Sequence, residues 1–403
     1  MPAPLVRYNK GCKMDQTSQV LLDLIKKSIW DIDLPDYDTL YDEPVDWAAV
    51  FEEAKIQAIP ALVASSVPDT APEAIRAEWN QLSYKVIANY HKVLTAQDKL
   101  LALLQENNIP VAILKGSAAA IYYPTPSKRS MGDIDFLIPQ ELFDSTEELL
   151  KENGYIMTQD RERNPRHSGF VKDGVHFELH HHFCHDDGTE VEKYISAGLL
   201  SLEAHEIDGH SFTMLPSLSN GVVLLDHMRN HLKSGLGLRQ VIDWMMYVNS
   251  IVDNEYWNKE LQSVAEDTRL RTLATTATKM CRTYMGLPCD NTWYDDADSD
   301  LCSVLINSLI ASGNFGRKKG EGNSIEAIST KMRREGFFTT LQRRGMLNWE
   351  AYRRHHWLKP FCWFYQLCRY IKKGVLSHRS SKQITSDINA SANTQSMLDR
   401  LGI

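Results

Sequence analysis

The chain has 403 residues, of which 43% are hydrophobic and 24% are charged, and its formal net charge is −8. This length exceeds what one ordinary hydrophobic core organises, so we expect two or three domains. The composition is typical of a soluble globular protein, and the negative charge excludes a general nucleic-acid binder.

The cysteines and the lengths of the apolar runs indicate in which cellular compartment the protein is expected. Seven cysteines are scattered along the chain and form no CxxC pair, which favours reduced thiols over a disulfide framework. Residues 1–15 lack the apolar stretch of a signal peptide. No apolar run approaches the ~18 residues that a membrane span needs. We therefore expect a cytoplasmic protein without a transmembrane segment.

The first part of the chain, residues 1–107, is predicted to be a helical domain. Apolar residues recur at helical spacing over residues 18–30, 46–58 and 72–105. The simplest interpretation of these apolar stripes is packing between helices in a core.

Residues 108–215 differ, because strand-like and helix-like runs alternate there. Apolar runs at residues 109–114 and 133–138 predict two strands. Further on, Asp173 and Gly174 lie between two apolar runs, which is a strong signal of a β-hairpin. This order of elements predicts a small mixed sheet.

The remaining chain is predicted to be helical up to residue 376. Residues 377–403 begin Ser-rich and apolar-poor, so a disordered tail is expected there, although residues 396–401 could form a short terminal helix. The sequence thus predicts an α+β fold, in which a mixed-sheet core at residues 108–215 is flanked by helical domains at residues 1–107 and 216–376.

The most informative stretch joins the first two predicted strands. Asp133 and Asp135 alternate with Ile134, so on a strand their side chains share one face. Two neighbouring carboxylates repel each other unless a divalent cation lies between them. At the end of the preceding strand, Gly116 and Ser117 allow backbone N–H groups to approach an anion closely. Together these residues predict a phosphate cradle that faces a metal platform.

A third carboxylate follows in the predicted hairpin. Over residues 175–183 a period of two places His176, Glu178, His180 and His182 on one face. If this strand lies beside the strand of the two aspartates, Glu178 joins them. Three carboxylates can hold two Mg²⁺ ions about 4 Å apart, an arrangement suited to in-line phosphoryl chemistry.

These residues resemble the nucleotidyltransferase superfamily that includes polymerase β and the aminoglycoside nucleotidyltransferases. A closer similarity is to poorly characterised bacterial nucleotidyltransferases. The matching residues are Leu114-Lys115-Gly116, Ser117, Arg129, Asp133-Ile134-Asp135 and Glu178-Leu179-His180, together with a helical segment that carries His231, Arg239 and Asp243.

The resemblance implies transfer of a nucleoside monophosphate from an NTP to an acceptor, with release of pyrophosphate. The acceptor would be a small molecule, a sugar or a protein. Two Mg²⁺ ions, or Mn²⁺ in their place, would bind Asp133, Asp135 and Glu178, while Gly116 and Ser117 would hold the β- and γ-phosphates. Such chemistry depends mostly on positioning and charge stabilisation, so no nucleophilic side chain is needed.

Several of these side chains have a second interpretation. Lys115 and Arg129 are candidates to neutralise phosphate charge, and both could instead form structural ion pairs. His180 could orient Glu178 or contact the substrate, or it could be a strand histidine with satisfied hydrogen bonds. His227 shares a helix face with His231, which favours packing between helices, with a substrate-pocket role for His231 as the alternative.

The histidine-rich and basic stretches offer two further candidate sites. The set His181, His182, Cys184 and His185 has zinc-ligand chemistry, but neighbours on a strand point apart, which disfavours it. Lys233 could reach a triphosphate, although an exposed lysine is the simpler interpretation.

The last part of the chain leaves the partner open. Residues 357–375 mix aromatic and basic side chains, which predicts either a helix docked on the fold or a helix on a membrane surface. The basic residues 333–354 could contact nucleic acid, although no stable nucleic-acid partner is expected. The alternative function is a catalytically silent nucleotide-binding protein, or a membrane or nucleic-acid adaptor, on the same fold.

Overall fold

The structure is a computed structural model that describes residues 14–33, 37–160, 166–183, 189–232, 235–288, 290–319, 332, 336–376 and 392–403. Its described part contains one seven-stranded sheet. The strands are β1 (Ala112–Leu114), β2 (Ile134–Leu137), β3 (Ile156–Gln159), β4 (His167–Lys172), β5 (Val175–His180), β6 (Glu203–Ile207) and β7 (His210–Met214).

The sheet is mixed, and its order is β3-β4-β5-β2-β1-β7-β6. Strands β2 and β5 are parallel, as are β1 and β7. The other neighbouring pairs are antiparallel. This sheet, set among many helices, confirms the predicted α+β class with helical flanks. The predicted domain boundaries stay predictions.

Helices make up most of the rest. They are α1 (Gln16–Trp30), α2 (Tyr37–Leu40), α3 (Trp47–Ile56), α4 (Pro60–Val63), α5 (Glu73–Glu106), α6 (Gly116–Ala120), α7 (Phe143–Glu152), α8 (Thr189–Gly198), α9 (Ser217–Leu232), α10 (Leu238–Ile251), α11 (Asn254–Tyr256), α12 (Gln262–Asp267), α13 (Arg271–Met285), α14 (Ser299–Ser312), α15 (Phe337–Asn348), α16 (Glu350–Arg354) and α17 (Cys362–Leu376). Aspartates cap several of them: Asp15, Asp46 and Asp298 accept backbone N–H groups at the starts of α1, α3 and α14.

Two hydrophobic cores organise these elements. The larger core joins the N-terminal helices to α9, α10, α13 and α14. The smaller core lies on one face of the sheet, under α7 and the second half of α5. Helix α5 has 34 residues and contributes Trp79 to the larger core but Tyr90 and Leu100 to the smaller one. This helix therefore ties the sheet to the helical body.

Two β-hairpins have the same dipeptide, Asp-Gly, at their turns. Asp173 and Gly174 connect β4 to β5, as predicted, and both have positive φ. Asp208 and Gly209 connect β6 to β7 and also have positive φ, which is the conformation of a tight two-residue hairpin turn. The second hairpin, which extends the sheet beyond β1, was not predicted.

The end of the chain returns to the larger core. Residues 392–400 are helical, and Met397, Leu398 and Leu401 pack in the larger core, so the structure agrees with the short terminal helix, and a disordered tail is wrong for residues 392–403. These apolar side chains gain more by burial than the short segment loses in conformational freedom. Residues 377–391 lie outside the described part of the chain.

Helix α17 has its main contacts within the C-terminal region. Among the described residues it packs on α15, and its buried Cys362 belongs to neither of the two cores. Among the helices that the structure describes, none is long and apolar enough to cross a membrane.

Candidate active site

The sheet brings the three predicted carboxylates together. Asp135 on β2 lies opposite Glu178 on the parallel strand β5, and Asp133 immediately precedes β2. One carboxylate oxygen from each of the three lies within 4.8 Å of the others. An all-oxygen set at this spacing suits Mg²⁺, which prefers oxygen ligands and leaves sites for substrate.

The site faces the helical body. Ile134 and Phe136 point into the smaller core, whereas Leu137 packs in the larger one. Because side chains alternate along a strand, Asp135 lies on the face of Leu137. The carboxylates therefore lie in a cleft between the sheet and the helices of the larger core.

Lys115 enters this cleft from the end of β1. Its φ of 49° and ψ of −129° lie in a region that residues other than glycine rarely adopt. In this conformation Nζ donates to Oδ1 of Asp135 at 2.7 Å and lies 5.6 Å from the centre of the Phe183 ring. Burial opposes the charged form, but Asp135 and Glu178 raise the pKa of Lys115 above its usual value.

One lysine does not neutralise three carboxylates. Burial alone would raise the pKa of Asp135, but Lys115 and His180 hold that pKa well below its usual range. The other two carboxylates keep excess negative charge around them. The charge of Asp135 raises the pKa of Asp133. Burial and the two aspartates raise the pKa of Glu178 to about 8. A divalent cation would relieve this repulsion.

Two histidines border the carboxylates. His180 Nε2 lies 2.8 Å from Oδ1 of Asp135 and 3.8 Å from Oε2 of Glu178. Burial lowers the pKa of His180, so the ring is neutral at pH 7, and Nε2 carries the hydrogen because a carboxylate only accepts. His180 thus orients Asp135, with a longer contact to the predicted partner Glu178.

His167 is a site residue that the sequence did not indicate. It lies opposite His180 on β4, with Nε2 3.4 Å from Oε1 of Glu178. His167 lies three residues before Phe170 on β4, so the Asp-Gly turn alone does not show that the pairing extends to it. With Glu178 and His180 it forms a mixed nitrogen and oxygen set within 4.8 Å, a donor set that transition metals accept.

Arg129 does not reach the carboxylate cluster. Its Nε and Nη2 each donate to Asp243 at 2.7 Å, and both side chains are buried. The hydroxyl of Tyr123 donates to the same carboxylate at 2.7 Å. The geometry therefore favours the ion-pair interpretation of Arg129. This pair fixes the loop before β2 against α10, and Arg239 adds a bond of 3.1 Å to the carbonyl of Ser130.

The predicted phosphate cradle lies at the start of α6. Gly116 has φ +29°, and its N–H and that of Ser117 belong to the first helical turn, where no intrahelical acceptor is available. The hydroxyl of Ser117 is buried and donates to Oε1 of Gln97 at 2.7 Å. Only the backbone of Ser117 therefore remains suited to an anion.

Helices α9 and α10 form the opposite wall of the cleft. The rings of His227 and His231 pack edge to face with centroids 4.4 Å apart. Burial, with the positive field of Lys115 and Arg239, lowers the pKa of His231 to about 3. The charge of Arg166 also lowers the pKa of His231. Arg166 is therefore a further cation close to this wall, and the sequence did not indicate it. Lys233 lies outside the described residues.

The considered zinc set is not assembled in the described part of the chain. His181 Nε2 lies 2.8 Å from Oγ of Ser168, and its ring packs against Phe143. His182 is exposed. Cys184 and His185 lie outside the described residues. His181 is thus a packed strand-end histidine.

Comparison with known proteins places this cleft in context. A family model described as "Uncharacterised nucleotidyltransferase" matches residues 43–286. No curated protein matches.

Two solved structures are similar over part of the chain. One is that of the antibiotic-resistance factor ANT(2'')-Ia, with 14% identity, a TM-score of 0.33 and coverage of 45% of this chain and 93% of that one. The other is an antigenic nucleotidyltransferase-like protein from Paracoccidioides brasiliensis, with 16% identity, a TM-score of 0.31 and coverage of 46% and 92%.

Proposed function

The chain belongs to the family of uncharacterised nucleotidyltransferases, and from that premise we propose that it moves a nucleoside monophosphate from an Mg-NTP to an acceptor hydroxyl and releases pyrophosphate. The observation that carries the proposal is that Asp135 lies directly opposite Glu178 on the neighbouring strand, with Asp133 two residues earlier. One carboxylate oxygen of each residue lies within 4.8 Å of the others. The reaction is proposed to take place in the cytoplasm.

The metal platform is the first part of the proposal. Asp133, Asp135 and Glu178 would hold Mg²⁺, or Mn²⁺ in its place. The bound ions would supply charge for the polyphosphate and acidify the acceptor hydroxyl. Of the three carboxylates, Asp135 is buried and oriented by Lys115 and His180, whereas Asp133 is exposed and therefore accessible to an incoming complex.

The polyphosphate would lie between the start of α6 and the helical wall. Backbone N–H groups of Gly116 and Ser117 would donate to the β- and γ-phosphates. Lys115 is held at the edge of this cradle, and Arg239 and Arg166 contribute positive field inside the cleft. These cations take the neutralising role first considered for Arg129, whose guanidinium is engaged with Asp243.

The bond changes balance without a protein nucleophile. The acceptor oxygen forms a bond to the α-phosphorus as the bond between that phosphorus and the bridging oxygen breaks. Pyrophosphate leaves with the bridging oxygen, and the hydroxyl proton is released to solvent water. Glu178 would complete a metal site, and the bound ion would favour this deprotonation of the acceptor hydroxyl.

Calorimetry tests the metal platform. Wild type should bind each Mg-NTP that it accepts, and Asp133→Asn/Asp135→Asn should lose that binding at least about tenfold, since the ligands for the metal are gone. Glu206→Gln, an exposed carboxylate on the distant strand β6, is the matched control and should bind like wild type. Equal affinity of wild type and the aspartate variant would contradict the platform.

A second measurement tests transfer itself. Each of the four α-labelled NTPs is incubated with the protein, Mg²⁺ and fractionated candidate acceptors, and the products are identified by mass. A labelled product with equimolar pyrophosphate is expected from wild type and not from Asp133→Asn/Asp135→Asn. Binding without any product would favour the catalytically silent alternative.

A further inference from the structure

The C-terminal helical hairpin, residues 336–376, is built as a unit of its own. Helices α15 and α17 approach so closely that a Cβ added at Gly345 would lie 1.9 Å from the carbonyl oxygen of Cys362. Gln342 accepts from the backbone of Trp363, and Asn348 donates to Gln366. The buried Leu341 and Cys362 belong to neither of the two cores. The hairpin thus holds its shape through its own contacts.

This hairpin exposes an unusual amount of apolar surface. Eleven large hydrophobic side chains of the described residues are exposed, and seven of them lie here: Phe337, Phe338, Leu347, Trp357, Phe361, Phe364 and Ile371. Such a cluster is uncommon on a protein surface that faces only water. Trp357 is 72% exposed and Phe338 is 65% exposed, so neither is covered by the rest of the described chain.

Part of this surface is a stripe on one side of α17. Phe364, Cys368 and Ile371 share one face of the helix, and Phe361, the residue just before the helix, continues the same stripe. All four side chains are exposed. The buried residues Cys362 and Gln366 lie on the opposite face, against α15. The apolar stripe is therefore turned away from the partner helix.

An open groove of about 470 Å³ continues the apolar surface between the two helices. It is lined by Phe338, Thr339, Gln342, Arg343, Met346 and Trp363. Its lining is largely apolar, with the guanidinium of Arg343 among the lining groups, so it combines room for a hydrocarbon segment with a cation for a phosphate group.

The charge of the hairpin is opposite to that of the chain. Residues 336–376 contain eight Lys and Arg and one Glu, whereas the whole chain has a net charge of −8. Lys359 and Lys372 are exposed beside the apolar side chains. Exposed aromatic and aliphatic side chains that are interleaved with cations match an anionic phospholipid surface.

We infer that the hairpin is a docking surface for an anionic phospholipid bilayer, on which α17 lies flat. Helix α17 has 15 residues, about 22 Å of helix, which is shorter than the hydrocarbon core of a bilayer. The stripe enters the interface and the lysines face the headgroups. This docking surface does not depend on the proposed transferase reaction, and it would place that reaction at a membrane surface.

Nucleic acid is the other polyanion, and the side chains favour the bilayer. Leu347 and Ile371 have no flat face on which a base could stack. Two of the aromatic residues, Trp349 and Tyr365, already stack on each other, with centroids 5.0 Å apart and ring planes 6° from parallel. Aliphatic exposure along a helix is what insertion between lipid chains requires.

Co-sedimentation of the full chain with vesicles tests the inference. Wild type should bind vesicles of phosphatidylcholine and phosphatidylglycerol in equal parts, and should bind pure phosphatidylcholine vesicles at least about tenfold less. Phe361→Ser/Phe364→Ser/Ile371→Ser should lower binding to the anionic vesicles at least about tenfold, because the inserted apolar area is lost. These side chains face solvent, so circular dichroism should show unchanged helix content.

Leu200→Ser is the matched control, because Leu200 is 90% exposed on a different part of the molecule, and it should bind vesicles like wild type. The inference is overturned if wild type does not sediment with anionic vesicles or if the triple variant binds them equally well. It is also overturned if the triple substitution changes only self-association, measured by light scattering, or only binding to a single-stranded RNA.

Discussion

Two buried ion pairs flank the loop before β2, and they differ in what surrounds them. Arg129 meets Asp243 through two bonds of 2.7 Å, and Tyr123 donates a third. Lys115 meets Asp135 through one bond of 2.7 Å, beside two further carboxylates. In the first pair, one positive charge meets one negative charge, and the pair stabilises the fold. In the second pair, one lysine lies beside three carboxylates, and the excess negative charge favours binding of a cation.

The comparison separates residues that stabilise the fold from residues suited to bind a cation. Both cations are nearly buried, with side-chain exposures of 5% for Arg129 and 15% for Lys115. Burial alone therefore does not distinguish them. What distinguishes the two pairs is the number of carboxylates beside each cation. The stability of variants at the two pairs should therefore respond differently to Mg²⁺.

The largest effect is expected for Arg129→Ala. Removing the guanidinium takes two hydrogen bonds and a facing charge from the buried carboxylate of Asp243, which should lower the free energy of unfolding by about 3–5 kcal/mol. Urea denaturation measures this change. Arg129→Met/Asp243→Leu should lose far less, because no charge stays buried. Lys128→Ala, at a neighbouring partly exposed lysine whose amine donates to the hydroxyl of Ser65, should change stability by less than about 0.5 kcal/mol. A similar loss in the double variant would contradict the ion-pair account.

A smaller effect, and one that metal reverses, is expected for Lys115→Met. Asp135 keeps the hydrogen bond from His180, so the free energy of unfolding without metal should fall by about 1.5–3 kcal/mol. Saturating Mg²⁺ should restore about 2.7 kcal/mol when its concentration is a hundredfold above the dissociation constant. The same Mg²⁺ should restore Arg129→Ala no more than it stabilises wild type. Equal recovery of the two variants would remove the distinction between the pairs.

Backbone strain offers an internal control at the same position. Lys115 has φ 49°, which glycine adopts without cost. Lys115→Gly should therefore unfold at a higher urea concentration than Lys115→Ala, although both lack the amine.

A pH effect separates the two regions further. The metal-free pKa of Glu178 is raised to about 8, above its unfolded value, so its contribution to stability is present in acid and lost as the pH rises through about 8. Mg²⁺ must displace this proton, so its affinity should rise by up to about tenfold per pH unit between pH 6 and 8. Calorimetry in buffers of different ionisation enthalpy counts the released protons. Glu178→Gln should show a flat pH profile, and a proton count of zero for wild type would contradict the assignment.

The sequence predicts which three carboxylates lie together, because most of that pattern is local. Asp133 and Asp135 share a face through the period of two, and Glu178 joins them as soon as its strand pairs with β2. The α+β class and the family resemblance are confirmed for the same reason. The turn of β6 and β7 carries the same Asp-Gly signal as the predicted hairpin, so that hairpin was available to the same reasoning.

Other features depend on contacts that no local pattern encodes. Arg129 and Asp243 are 114 positions apart, and the choice between phosphate and carboxylate for Arg129 is decided by how α10 packs. Likewise, the amphipathic pattern of α17 shows that one face is apolar but not what covers it, and a docked helix was the expected answer. His167 needed the register of β4 against β5, which depends on where the hairpin ends.

The smallest effect concerns whether the cradle uses backbone or hydroxyl. Ser117 is fully buried and donates to Gln97 at 2.7 Å, so Ser117→Ala should cost about 1 kcal/mol of stability and change Mg-NTP affinity by less than about twofold, since the N–H group stays in place. Gly116→Ala has space at its Cβ, with Met131 3.6 Å away, but an unfavourable φ of +29°. It should distort the turn and weaken Mg-NTP binding more than Ser117→Ala does. Calorimetry of the two variants decides the point, because a stronger loss in Ser117→Ala would assign the phosphate contact to the hydroxyl and not to the backbone.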